Sequence, residues 1–178
     1  MGIDAELEAW LTAAAPRAVV YARSLLKHPD DAEDLVHDVI CRLLAHREYD
    51  LLKDGEKLLF RSVTNACINR CMRAHEMSSL EAERGEGEAR LLDALNSDAE
   101  TDPVQVAMSK ELSDAIAREL KQLPPLQRAA VELKSMDKSL KEIAEILGLT
   151  AVNAGVLVCR GRKQLAQRLA PYIGEAGR

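Results

Sequence analysis

The stretch "SLKEIAEILGLTAVNAGVLVCRGRKQL", Ser139–Leu165, decides how the C-terminal half of this chain folds. Ser139 and Glu142 are spaced as a capping box, in which each side chain satisfies a backbone N–H that the first helical turn leaves open. Ile143, Ala144 and Leu147 then fall on one face, and Ala144 is small where a second helix would cross closely. Gly148 supplies the left-handed residue that stops a helix and starts a turn. Thr150 caps the next helix, which the sequence ends at Pro171. A small residue, a four-residue step to glycine, a short turn and a capped helix together predict a helix-turn-helix. The second helix opens with Thr150, Ala151, Val152, Asn153, Ala154, Gly155, Val156 and Leu157, with no Lys or Arg among them, and its cations Arg160, Arg162, Lys163 and Arg168 come later.

Upstream, almost every apolar run has helical spacing and none alternates like a strand, so the class is all-α. Leu7, Trp10, Ala14, Ala18, Tyr21 and Leu25 mark a helix that Pro16 breaks or bends. After Pro29, Asp30 is placed to cap a second helix, with Glu33 three residues on and a buried stripe of Leu35, Val36, Val39, Ile40, Leu43 and Leu44. "EYDLLKDGEK" reads as a loop or short turn. A third helix, about Glu56 to Ala74, packs Phe60, Val63, Cys67 and Cys71 to one side and carries Arg61, Asn65, Asn69 and Arg73 on the other. Asp102-Pro103 offers a cap and a first-turn proline for a helix marked by Leu112, Ile116, Leu120 and Leu123, and "LPP" separates it from "LQRAAVELK".

Net charge is −5 over 178 residues, which argues against a protein that simply coats nucleic acid. Its distribution says more. Residues 1–75 carry ten Lys/Arg against twelve Asp/Glu, residues 76–110 three against nine, and residues 111–178 eleven against eight. The layout is two small helical domains, 1–75 and 103–178, joined by an acidic linker, 76–102, mobile unless a partner holds it. No apolar run has the length that spans a bilayer, no secretory leader is visible, and Gly2 lacks the context for myristoylation. Those features predict a cytoplasmic chain without membrane insertion, with its four cysteines reduced.

Three quoted segments in this order resemble the bacterial RNA polymerase sigma factors of the compact extracytoplasmic-function subgroup. "HPDDAEDLVHDVICRLLAH" is similar to the family's helix that holds the polymerase clamp, and "LLFRSVTNACINRCMRAH" to its helix for the −10 promoter element. "LPPLQRAAVELKSMDKSLKEIAEILGLT" is similar to the start of its −35-reading domain. The resemblance implies polymerase contacts at Asp34, His37 and Asp38 and −10 contacts at Arg61, Asn65, Asn69 and Arg73; for the −35 duplex the last helix itself offers Thr150 and Asn153 as its first polar groups and Arg160, Arg162 and Lys163 for phosphates. The resemblance also implies core RNA polymerase, promoter DNA and an anti-sigma factor as partners, a monomer when free, and a connector that threads into the polymerase. This chain departs from the family at His37, usually Gln, at Asn69, usually Asp, and at Leu58, commonly Trp. In the last helix Gly155, Val156 and Leu157 stand where Lys-Ser-Arg is usual, and "SMDKS" replaces a Gly-containing turn.

Each feature has a plainer reading beside it. The amide and guanidinium stripe can be a solvated helix face, although guanidiniums suit phosphates and amides suit unpaired base edges. Acidic residues in a first turn complement the helix dipole, which accounts for Asp30, Asp31 and Glu33 and less well for Asp38. His37 with Cys41, and Cys67 with Cys71, have spacings that can chelate zinc. The three cysteines fall on apolar stripes, where free thiols act as small hydrophobes, so no metal and no cofactor is expected. No nucleophile-base pairing or phosphate-cradling glycine loop points to an enzyme. Two alternatives stay open: a sigma-like interaction protein that does not read a −35 element, and a plain helix-turn-helix repressor, which leaves residues 1–75 without a role.

Overall fold

The computed structural model describes residues 2–26, 28–46, 48–78 and 103–175. Seven α-helices, and no strand among the described residues, make up the fold: α1 Gly2–Leu25, α2 Ala32–Ala45, α3 Leu51–Ser78, α4 Pro103–Lys121, α5 Pro125–Ser135, α6 Leu140–Leu147 and α7 Ala151–Glu175, with a short 3-10 turn Pro29–Asp31 before α2.

Helices α1, α2 and α3 pack around the predicted stripes. Tyr21 and Phe60 meet edge to face with ring centroids 5.3 Å apart. The Thr64 hydroxyl donates to the Phe60 carbonyl at 2.6 Å and lies 2.8 Å from the Tyr21 hydroxyl. That pair satisfies the one polar end of a buried aromatic, and burial holds the Tyr21 phenol well above its ordinary range.

Three expectations are corrected here. Leu51–Glu56 is not a loop but the first turns of α3. Asp50 accepts the backbone N–H of Lys53 at 3.2 Å, and Gly55 admits the Trp10 ring so closely that a Cβ would stand 2.7 Å from it. That contact from α1 repays the helix propensity glycine lacks. At the N-terminus of α2, the capping position is Asp31 and not Asp30, and its side chain makes no cap bond. Finally, α1 runs through Pro16 and α7 runs through Pro171 to Glu175. Both prolines are exposed, so the carbonyl that each one leaves without a helical donor can be hydrated.

In the C-terminal half α5, α6 and α7 form a tight unit. Gly161 is buried where a Cβ would come within 2.5 Å of Val131 Cγ2, which fixes the close crossing of α5 and α7. Asp137 takes φ 61 in the "SMDKS" turn. Asp tolerates the left-handed region better than most residues, so the turn survives without glycine. Helix α4 crosses α7 near Arg168, whose guanidinium pairs with Glu119 at 3.4 Å.

The two halves pack against each other, and most of their buried apolar residues form one hydrophobic cluster. Arg128 of α5, only 8% exposed, is the polar centre of that contact. Its guanidinium donates to the carbonyls of Ser24 and Leu25 at the end of α1, at 3.3 and 3.1 Å, and to those of Lys121 and Leu123 at the end of α4, at 2.7 and 3.2 Å. One cation thus answers orphan carbonyls at two helix C-termini. Lys138 pairs with Glu56 at 2.9 Å, and Lys57 reaches Glu145 at 3.6 Å. The expected acidic linker falls mostly on residues 79–102, outside the described residues, and α3 continues past the predicted linker start to Ser78.

Candidate nucleic-acid interface

The exposed face of α3 is built by its buried one. Leu59, Phe60, Val63, Thr64 and Cys67 turn inward, which leaves Arg61, Asn65, Asn69 and Arg73 all exposed. Four-residue steps set these side chains along a strip of about 18 Å. Neighbouring Arg70 is engaged internally, with its guanidinium 2.8 Å from Asp31. Arg61 and Arg73 have no ion-pair partner among the described residues. Two cations and two amides are therefore presented on one rigid element.

A second exposed face lies on α2, where Asp34, His37 and Asp38 all face solvent. Here too the acidic residues divide. Asp31 is tied to Arg70 and Glu33 to Arg23, while Asp34 and Asp38 have no ion-pair partner among the described residues. The expectation that Cys41 belongs to the core is corrected: it is exposed, with its Sγ 3.8 Å from His37 Nε2. The tilt of α2 that buries Leu35, Val39 and Leu43 leaves Cys41 on the opposite side. Cys67 is buried, and burial pushes its thiol up to about 12. Among the described residues no three His, Cys, Asp or Glu side chains gather as metal ligands would.

The helix-turn-helix is formed as its sequence requires. Ser139 Oγ accepts the Glu142 N–H at 3.2 Å, and the Glu142 carboxylate accepts the Ser139 N–H at 2.8 Å. The Ser139 hydroxyl, which donates to the same carboxylate at 2.7 Å, and then the Ser139 N–H hold the Glu142 carboxyl below its usual range. Gly148 takes φ 67, and Thr150 Oγ accepts the Asn153 N–H at 3.2 Å. Ala154, Val158 and Gly161 face inward on α7. Val152, Asn153, Val156, Cys159, Arg160, Arg162 and Lys163 face outward. Leu157 is partly buried and packs on the core, so it is not part of the outward face.

Sequence reasoning missed Arg128 and Lys138. Arg128 stands out in "LQRAAVELK" as a guanidinium beside the buried Ala129, Ala130 and Leu133, but its α1 partners lie more than a hundred residues away.

A helix-turn-helix joined to a helical unit with an exposed amide and guanidinium strip defines a helical DNA-binding class of protein. Comparison with known proteins narrows this. Residues 7–76 match the family "Sigma-70 region 2", and residues 113–165 match "Sigma-70, region 4". The ECF RNA polymerase sigma factor SigW of Bacillus subtilis (strain 168) is 28% identical over 148 residues, which are 82% of this chain and 79% of that protein. The sigma factor RpoE of Bartonella quintana, in its co-crystal structure with the anti-sigma factor NepR, superposes with a TM-score of 0.70 at 22% identity, over 92% of this chain and 96% of that one. The chain belongs to the sigma-70 family, in its extracytoplasmic-function (ECF) subgroup. Among the described residues no single helix is long and apolar enough to cross a membrane.

Proposed function

We propose that this chain is a cytoplasmic, non-catalytic, dissociable subunit that binds core RNA polymerase and directs it to promoters. In this reading residues 1–75 hold the polymerase and the −10 element, residues 76–102 are the acidic connector, and residues 103–178 approach the −35 element. Asp34, His37 and Asp38 of α2 contact the polymerase. Asn65 and Asn69 contact base edges of the −10 element, while Arg61 and Arg73 lie on phosphates. Thr150, which caps α7, and Asn153, Arg160, Arg162 and Lys163 of α7 lie against the −35 duplex; the protein is a monomer when free, and an anti-sigma factor is a further partner.

The observation that carries this reading is the division of charges. Asp31, Glu33 and Arg70 are consumed by internal ion pairs, whereas Asp34, Asp38, Arg61 and Arg73 are exposed with no such pair among the described residues. The closed packing of the two halves adds a step. The −10 and −35 elements lie about 25 base pairs apart by their own numbering, roughly 85 Å at about 3.4 Å per base pair, whereas the halves that approach them share one packed core, so the halves part when both elements are engaged.

In vitro transcription with core polymerase and promoter fragments tests the function. Asp34→Lys with Asp38→Lys should abolish core binding while helicity is kept, and unchanged binding would refute the α2 assignment. A second reading, a sigma-like interaction protein that does not use the −35 element, is favoured by Val152 and Val156 lying exposed on the reading face. It predicts polymerase binding without promoter-directed initiation.

A further inference from the structure

The outward face of α7 opens on an apolar stripe. Val152 is 75% exposed and Val156 40% exposed, one turn apart, and Leu140 of α6, 41% exposed, lies against Gly155 of the same helix as the valines. Folding does not bury these methyl groups. The same helix has no Asp or Glu from Ala151 to Gly174, and its exposed cations Arg160, Arg162 and Lys163 follow the stripe directly. An apolar strip at the start of a recognition helix, followed by cations and no acid, is complementary to a surface that duplex DNA offers. That surface is the floor of a major groove bearing methyl groups, walled by phosphates.

We infer that Val152 and Val156 are specificity-determining residues that read thymine C5-methyl groups in the upstream promoter element. The inference rests on the assignment of α7 to the −35 duplex and supplies its missing base chemistry. The two valines are about 6 Å apart along the helix axis, which is close to two base steps of about 3.4 Å. The methyls they meet therefore lie about two base pairs apart. Exposed Asn153, between them in sequence, has the donor and acceptor pair that matches the N6 and N7 edge of adenine. No side chain in the first two turns can make the bidentate contact to guanine that Arg or Lys makes, so the element read here is rich in A·T pairs rather than guanine-led. The cations place the helix through phosphate contacts and carry no sequence preference.

The test uses holoenzyme reconstituted from the full chain and core polymerase. Bound duplexes are selected from a random pool, and thymines in the selected upstream element are then replaced one at a time by deoxyuridine. This removes the C5-methyl and keeps every hydrogen-bonding group. Affinity should fall about fourfold at each of two positions about two base pairs apart, from the transfer value of one buried methyl. The loss should disappear in Val152→Ala with Val156→Ala, a change on exposed positions that leaves the core alone. Promoter-directed binding that ignores deoxyuridine, or a methyl dependence that survives the double substitution, overturns the inference and leaves the sigma-factor reading intact. If deoxyuridine has no effect while Val152→Asp with Val156→Asp weakens binding to polymerase without DNA, the stripe serves a protein and the inference fails. Absence of any promoter-directed binding removes the functional reading as well.

Discussion

Replacing Arg128 by Met tests how the two halves are held together. The guanidinium donates to four carbonyls, those of Ser24, Leu25, Lys121 and Leu123. Hydrogen bonds to a charged group contribute about 1.5–3 kcal/mol each before offsets. Against them stands burial, which disfavours the charged guanidinium and lowers its pKa, and one nitrogen, Nε, is buried without a partner. Met fills similar space and removes the buried charge, but it cannot answer the carbonyls. Ser24, Leu25 and Leu123 are buried residues, and each acceptor left open costs about 1 kcal/mol or more. The substitution should therefore destabilise by about 3 kcal/mol. That is a large fraction of the roughly 5–15 kcal/mol of a typical fold. Arg128→Lys, which keeps the charge and reaches fewer acceptors, should fall between the two. Urea unfolding followed by circular dichroism gives the magnitude. Hydrogen exchange should show the ends of α1 and α4 opening together, because one side chain binds both. If Arg128→Met unfolds within about 0.5 kcal/mol of the parent, a normal margin for an exposed site, the carbonyls find water and the guanidinium is not the latch described here.

Three further outcomes follow from other sites. Glu142 has a folded pKa below its unfolded value, so its contribution is present above the unfolded pKa and is lost as pH falls through the folded one. Glu142→Gln should be less stable than the parent at pH 7, and the two unfolding midpoints should converge in acid; a constant gap would show that charge is not involved. Glu132 is the opposite case, because burial raises its pKa although Ser24 and Arg128 offset part of the shift. Its favourable contribution is present below the unfolded pKa and is lost as pH rises through the folded one, so Glu132→Gln should be more stable at neutral pH and equal in acid. In thiol labelling the exposed Cys41 and Cys159 should react quickly and buried Cys67 only on unfolding; mass mapping that finds Cys67 labelled as fast as Cys41 would contradict the packing of α3.

What the sequence by itself determined is what neighbours within one helical turn decide. The Ser139–Glu142 box, the left-handed Gly148, the Thr150 cap and the split of α3 into a buried and an exposed side all depend on spacings of three or four residues, and each stands in the structure as its local pattern requires. The order of the three quoted segments carried the family. The tertiary structure decided what depends on a partner far along the chain. "LLKDGEK" has weak helical spacing and a glycine, and it becomes helix because Trp10 of α1 fills the space above Gly55. Helix α7 continues through Pro171 because that turn faces water, which no residue near it specifies. Cys41 lies outside and Leu157 packs on the core because the rotation of a helix about its axis is set by what it packs on. Arg128 reads locally as one more charge in a helix, and only the arrival of α1 and α4 turns it into the donor for four carbonyls. Periodicity is a property of adjacent turns, whereas burial and hydrogen-bond satisfaction are properties of the space between elements, and that space exists only once the chain has folded.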